Sequence, residues 1–227
     1  MDTRPPALEA AGLGLATRRG AVYRDISLVV PAGSFAMLVG STGSGKTALL
    51  LTLAGRMHAT SGTLRSFGDD ARRRPATART RTALGLVAGV NDLSDHLTVG
   101  DHVREALAMQ GRRSSDALVR ASLTSVGLEI DPRAKAGALS AIDRELLGIA
   151  LALTSRPDVI AVDDADHDLT RGEQERLMSV LRDTAGSGTT VIAACVDERL
   201  SCFADVVIGI ASAFEEEVPC DEVALAR

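Results

Sequence analysis

Aromatic side chains are nearly missing from this sequence: 227 residues contain no tryptophan, one tyrosine (Tyr23) and four phenylalanines. The interior must therefore be aliphatic, and there is little from which to build a platform for stacking unpaired bases. A surplus of positive charge is missing too. Twenty-five Lys and Arg stand against 30 Asp and Glu, a net charge of −5, so no long-range attraction to nucleic acid arises and no nucleic-acid partner is expected. Cysteine is scarce. Cys195, Cys202 and Cys220 are odd in number and lack metal-ligand spacing, and Cys195 sits in an apolar run where any small hydrophobe would serve, which fits a reducing, cytoplasmic setting. The opening MDTRPPALEA lacks the apolar run of a signal peptide. Residues 26–45 carry no charge, but Pro31, Gly33 and a glycine-rich run divide them into two short strands and a turn, so no membrane-spanning helix is expected.

What remains, at 45% apolar, is enough to bury a substantial core in one large domain. Aliphatic runs over 25–30, 35–39, 83–87, 159–163, 189–194 and 205–210 read as strands. The last four are almost continuously apolar, as parallel strands covered on both faces are. Helical periodicity lies between them at 46–56, 99–109, 114–126, 142–154 and 171–185. The alternation predicts an α/β fold, a P-loop core with a mostly parallel sheet flanked by helices. The Pro31-Ala32-Gly33 turn predicts an antiparallel hairpin between the first two strands at the sheet edge. Residues 89–155 show helices and no strand, so a helical lobe is expected there, inserted into a core formed by 1–88 and 156–227. The stretch 69–81 holds five arginines and reads as a solvated loop.

The clearest chemical signal is LVGSTGSGKTALL, in which Gly40, Ser41, Thr42, Gly43, Ser44, Gly45, Lys46 and Thr47 fill the pattern G-x-x-x-x-G-K-[ST] between a strand and a helix. Glycines let main-chain amides turn toward phosphate oxygens, and the helix that follows adds its N-terminal donors. Lys46 would set an ammonium against the β- and γ-phosphates, and the Thr47 hydroxyl would ligate Mg²⁺. Such a loop needs a carboxylate at the tip of a neighbouring strand. VIAVDD supplies Asp163 for the metal and Asp164, next in line, to polarise an attacking water. The cofactors implied are ATP and Mg²⁺, with Lys46 and Asp164 as catalytic candidates. No N-K-x-D segment is present for reading guanine, and there is no room for a long coiled coil between the motifs.

The order of segments resembles the ATP-binding cassette family, the nucleotide-binding subunits of ABC transporters. The likeness runs from DISLVVPAGSFAMLVGSTGSGKTALLLTLAGRMHATSGTL through DHLTVGDHV and LSAIDRELLGIALALTSRPDVIAVDD to TTVIAACVDERL. It implies a head-to-tail homodimer or heterodimer, a transmembrane permease as partner, and a peripheral position on the inner face of the membrane. It also exposes departures. The family's LSGGQ is here Leu139-Ser140-Ala141-Ile142-Asp143, its Walker B glutamate is Asp164, its switch histidine falls on Val196 and its Q-loop glutamine on Gly89. Its adenine-stacking aromatic would lie near Thr17, where none stands. Ile142 is expected to obstruct the approach to the γ-phosphate and Asp143 to repel it, unless Ser140 simply caps an amphipathic helix. His58, His96, His102 and His167 read as surface or packing residues. Three functions follow: a slow ATPase energising transport, a nucleotide-binding regulatory half beside a competent subunit, or a P-loop protein acting elsewhere.

Overall fold

The computed structural model describes residues 5–71 and 73–211. In chain order the elements are β1 (Leu8–Thr17), β2 (Gly20–Val30), β3 (Phe35–Val39), α1 (Lys46–Leu53), β4 (Ser61–Ser66), β5 (Asp69–Asp70), α2 (Pro75–Arg81) and β6 (Thr82–Leu84). Then come α3 (Val99–Met109), α4 (Asp116–Thr124), α5 (Ala141–Leu153), β7 (Val159–Val162), α6 (Arg171–Gly186), β8 (Thr190–Cys195) and β9 (Val206–Gly209).

Five parallel strands make the central sheet in the order β6-β7-β8-β3-β9. Side chains on a strand alternate between faces, and here each face has its own core. Phe35, Met37 and Val39 of β3 join Ile160 and Val162 of β7 and Val191 and Ala193 of β8 on the side covered by α5 and α6. Ala36, Leu38, Val159, Ala161, Ile192 and Ala194 face the other way, toward α1 and a second, antiparallel sheet. That sheet has the order β2-β1-β4-β5.

The expected hairpin between the strands flanking Pro31 does not form. β2 pairs with β1, while β3 lies between β8 and β9 in the other sheet. The reason is burial: every residue of β3 is enclosed, whereas β2 alternates between enclosed and exposed. An all-buried strand belongs in the middle of a covered parallel sheet, and a half-exposed one does not. The arginine-rich stretch is partly helical, opening with Pro75 in the first turn of α2. Three of its arginines are met locally: Arg73 by Asp70 at 3.3 Å, Arg74 by Asp69 at 3.7 Å, and Arg81 by Asp158 at 3.5 Å with its guanidinium over Phe67.

The helices start where the sequence signals them. Thr98 with Asp101 and Thr170 with Glu173 form capping boxes on α3 and α6, and Ser115 and Ser140 cap α4 and α5. Apolar faces of α3, α4 and α5, including Val103, Leu107, Val119, Leu123, Leu146 and Ile149, close on one another. Among the described residues no helix is long and apolar enough to cross a membrane.

Candidate active site

The carboxyl ends of β3, β7 and β8 meet at one edge of the central sheet, the edge at which open α/β sheets hold ligands. Gly40 N–H donates to the Cys195 carbonyl at 3.4 Å and Ala165 N–H to the Ala194 carbonyl at 2.9 Å, so the segments after the three strands are stitched together. The loop after β3 is the glycine-rich motif. Gly40 is held behind it, where an added Cβ would come within 2.5 Å of the Ile210 carbonyl oxygen. Gly45 has φ 92°, and a Cβ there would stand 2.5 Å from the carbonyl oxygen of Val22. Only glycine satisfies both the left-handed backbone and that approach. Gly45 also precedes α1 without a side-chain cap, so the first amides of the helix are not claimed by a capping side chain.

Lys46 is buried, and its Nζ donates to the carbonyls of Gly40 at 2.8 Å and Ser41 at 2.9 Å. Two of its three donors are thus engaged across the loop. Asp163, at the tip of β7, is also buried. Its Oδ1 has no hydrogen-bond partner, as is true of Ser44 Oγ. Burial raises the Asp163 pKa, the Thr47 hydroxyl opposes the rise by hydrogen bonding to the carboxylate, and neighbouring Asp164 adds to it. Asp164 itself is exposed and takes a left-handed φ of 42°.

A cavity of about 600 Å³ opens above these groups, lined by Thr42, Gly43, Gly45, Lys46, Thr47, Ala48, Asp164, Asp166, His167, Asp168 and Val196. Of the residues expected from the sequence, it brings together Thr42, Gly43, Gly45, Lys46, Thr47 and Asp164. Gly40, Ser41, Ser44 and Asp163 do not line it; Ser44 and Asp163 are buried. Sequence reasoning missed Asp166, His167 and Asp168. Their position directly after the strand-tip acids was the available signal.

The departures from the family pattern have structural consequences of their own. Ser140 caps α5, its Oγ accepting from Asp143 N–H at 3.3 Å and donating to Asp143 Oδ2 at 2.7 Å. Ile142 is 4% exposed and packs in the core with Leu146 and Ile149, so its side chain is not the obstacle expected. Asp143 instead occupies the serine hydroxyl. Val196 stands at the end of β8 with its side chain 44% exposed, and its amide donates to Asp166 Oδ2 at 2.8 Å. Gly89 sits at φ 73° with open space around it. Tyr23 offers no surface to a base: it is 1% exposed, with its hydroxyl donating to Thr52 Oγ1 at 2.9 Å. His102 is a packing residue, its Nε2 3.2 Å from the Ser94 carbonyl oxygen, whereas His167 belongs to the cavity. Cys195 is enclosed, and burial pushes its thiol pKa far up; Cys202 is exposed, and Cys220 lies outside the described residues.

Known proteins resemble this chain in sequence and in fold. The family described as ABC transporter matches residues 23–167. The lipoprotein-releasing system ATP-binding protein LolD of Alcanivorax borkumensis is 30% identical over 205 residues, covering 85% of this chain and 90% of LolD. The sulfate/thiosulfate import ATP-binding protein CysA of Escherichia coli is 33% identical over 165 residues, 70% of this chain and 44% of CysA. A putative ribose/galactose/methyl galactoside import ATP-binding protein of Rhizobium meliloti is 29% identical over 172 residues, 74% of this chain. The chain spans about a third of the length of that relative and of the ribose import protein RbsA of Rhodococcus jostii, 34% and 38%. Among solved structures, cbiO1 from Clostridium perfringens superposes with a TM-score of 0.77 at 18% identity over 91% of this chain and 85% of its own. The ATP-binding cassette MJ0796 does so with 0.76 at 21% over 93% and 99%. The structural likeness gives the fold, and the sequence match, covering more than half of the chain, gives the kinship: this chain belongs to the ABC transporter family.

Proposed function

We propose that the chain is the ATP-binding, ATP-hydrolysing subunit of an ABC transporter, energising movement of a substrate through a separate transmembrane permease. One observation carries this reading. Beside the buried ammonium of Lys46, the carboxylate at the tip of β7 has a buried oxygen without a partner, next to the Thr47 hydroxyl. A buried acceptor is costly to leave unpaired. A hydroxyl and one carboxylate are the hard, sparse donor set of a Mg²⁺ ion whose remaining ligands are water and phosphate oxygens. Thr47 and Asp163 would hold that ion, which would neutralise charge on the β- and γ-phosphates when bound. The amides from Gly40 to Thr47 would seat the phosphates, Lys46 would complete the charge balance, and exposed Asp164 would orient the attacking water.

The reading extends to assembly. MJ0796 is described as a dimer bound to ADP and Pi. By analogy, this chain would pair with a second cassette, its core of 1–88 and 156–227 carrying the P-loop and its helical lobe of 89–155 carrying Ser140. The pair would sit on the inner face of the membrane against the permease. Asp164 is one methylene shorter than a glutamate, and ångström-scale misplacement lowers rates by about a hundredfold, so slow turnover is expected. Mg²⁺-dependent phosphate release by the purified chain, alone and with its permease, tests the proposal: it should vanish in Lys46→Ala and in Asp164→Asn. Release that survives both substitutions would refute it.

A second reading is favoured by the Ser140–Asp143 pair. With its hydroxyl engaged at 2.7 Å, this serine is a poor donor to a phosphate on a facing subunit. The chain would then be the nucleotide-binding regulatory half of a heterodimer. In that case ATP should bind and raise the melting temperature, while Asp164→Asn leaves turnover of the complex unchanged.

A further inference from the structure

The cavity wall opposite the P-loop is acidic. Asp164, Asp166 and Asp168 line it, and Lys46 and His167 are the only lining residues whose side chains can carry positive charge. The end of β8 supplies no donor to this space. Val196 has an apolar side chain, and its amide and that of Asp197 are both taken by Asp166 Oδ2, at 2.8 and 2.6 Å.

The same anchoring fixes where His167 stands, one residue beyond Asp166. Its own amide donates to the Asp164 carbonyl at 2.9 Å, and Gln174 Nε2 holds the Asp166 carbonyl at 2.9 Å. The flanking residues Asp164 and Asp168 take left-handed φ values of 42° and 54°, so the turn reverses on both sides of the histidine. The imidazole Nε2 lies 3.4 Å from Asp168 Oδ2, yet the side chain is 73% exposed, oriented without being enclosed. A triphosphate seated on the P-loop amides would share this cavity with the acidic wall, which borders it on the other side. Three carboxylates repel it there. One imidazole N–H can accept the role of donor.

We propose that His167 donates a hydrogen bond to the terminal phosphate of the bound nucleoside triphosphate, supplying from the turn after β7 the contact that the end of β8 lacks. The inference rests on the ATP-binding reading above and adds the residue that recognises the third phosphate. Preference for ATP over ADP then depends on His167, while retention of the two inner phosphates depends on the P-loop.

Calorimetric titration of the isolated chain with Mg-ATP and Mg-ADP tests it, on the wild type, His167→Ala and His167→Gln, with thermal melting of each as a folding check. A hydrogen bond to a charged phosphate oxygen is worth about tenfold in affinity or more. His167→Ala should weaken ATP by about that factor and ADP by less than about twofold, and His167→Gln, which keeps an N–H donor, should recover most of the loss. Equal weakening of both nucleotides, or unchanged ATP affinity, overturns the proposal. Lys46→Ala separates the two levels of the argument. If wild-type chain binds ATP and Lys46→Ala does not, the nucleotide site stands whatever His167 does; if wild-type chain binds neither nucleotide, the site and the His167 contact fall together.

Discussion

The floor and the far wall of the cavity are built on opposite principles. The floor is main chain held in shape by glycine, with Gly40 and Gly45 placed where an added Cβ would stand 2.5 Å from a neighbouring carbonyl oxygen, and one buried lysine drawn across the loop. The first amides of α1 are not claimed by a capping side chain. In the departed positions the donors are consumed internally: the Ser140 hydroxyl by Asp143, the Val196 and Asp197 amides by Asp166. A phosphate-gripping surface can therefore survive intact while the groups that would act on the terminal phosphate are turned to holding the protein together. Replacing Ile142 with the family glycine is therefore expected to cost stability rather than restore a site, because the core packs on its side chain.

Ile142→Gly offers the sharpest break of that comparison and the largest expected effect. The change reinstates a family glycine, but Ile142 is 4% exposed in the core beside Leu146. Emptying such a position and adding glycine to a helix should cost about 4 kcal/mol of stability, seen as a lower urea midpoint, with no gain in ATP turnover. Faster hydrolysis at unchanged stability would mean that Ile142 does obstruct the site. On the floor, Gly45→Ala should cost about 3 kcal/mol and abolish ATP binding, because the new methyl meets the Val22 carbonyl at a backbone angle that suits glycine. Gly43→Ala is the matched control: it shares a left-handed φ of 84° but has nothing within 4 Å of an added Cβ. It should lose only about 1 kcal/mol. Equal losses at the two positions would show that close approach is irrelevant.

The two surfaces were also unequally legible. The floor could be read from residue type and spacing, because its chemistry resides in main chain that only glycine permits, and α3, spanning Val99–Met109, and β3, spanning Phe35–Val39, stand where their patterns place them. The far wall could not. Outside the cavity, at the start of α5, whether Ile142 faced the core or a phosphate depended on the rotation of the helix, which the sequence leaves open when apolar residues lie on more than one side. The far-wall His167 was harder to read for a related reason: a lone histidine in a turn carries no periodicity, and tertiary contacts, Ala165 to Ala194 and Asp166 to the Val196 and Asp197 amides, tie that turn to the end of β8. β1 was missed because Gly12 and Gly14 interrupt its apolar alternation, and its register shifts there.

Glu145 tests how tightly α5 is tied to the strand tips. Burial raises its pKa to about 7, Arg144 opposes the rise, and Asp163 and Asp164 add to it; its Oε2 has no partner. A carboxyl whose folded pKa lies above its unfolded value near 4.5 holds its proton more tightly in the folded state. Stability therefore falls as pH rises from about 4.5 to about 7, and the loss, at most about 3 kcal/mol, is complete above that window. Asp163, raised chiefly by burial, contributes in the same direction. Glu145→Gln should flatten the slope and leave the protein more stable than wild type at pH 8, with little difference at pH 4. Denaturation midpoints at the two pH values decide it, and a wild type whose stability rises across the window would contradict the packing of α5 described above.

The smallest expected effect concerns what the floor itself leans on. Tyr23 of β2 reaches α1 through its hydroxyl, which donates to Thr52 Oγ1 at 2.9 Å, while Thr52 donates to the Ala48 carbonyl at 2.8 Å. The pair clamps the antiparallel sheet to the helix that follows the P-loop. Tyr23→Phe keeps the ring in its buried place and removes one neutral hydrogen bond, so about 1 kcal/mol of stability should go. ATP affinity should change by less than about twofold, because neither Tyr23 nor Thr52 lines the cavity. A much larger drop in affinity would show that the loop amides are not held by glycine and their own strand alone. The β1–β2 hairpin, through Val22 and Tyr23, would then be part of the grip.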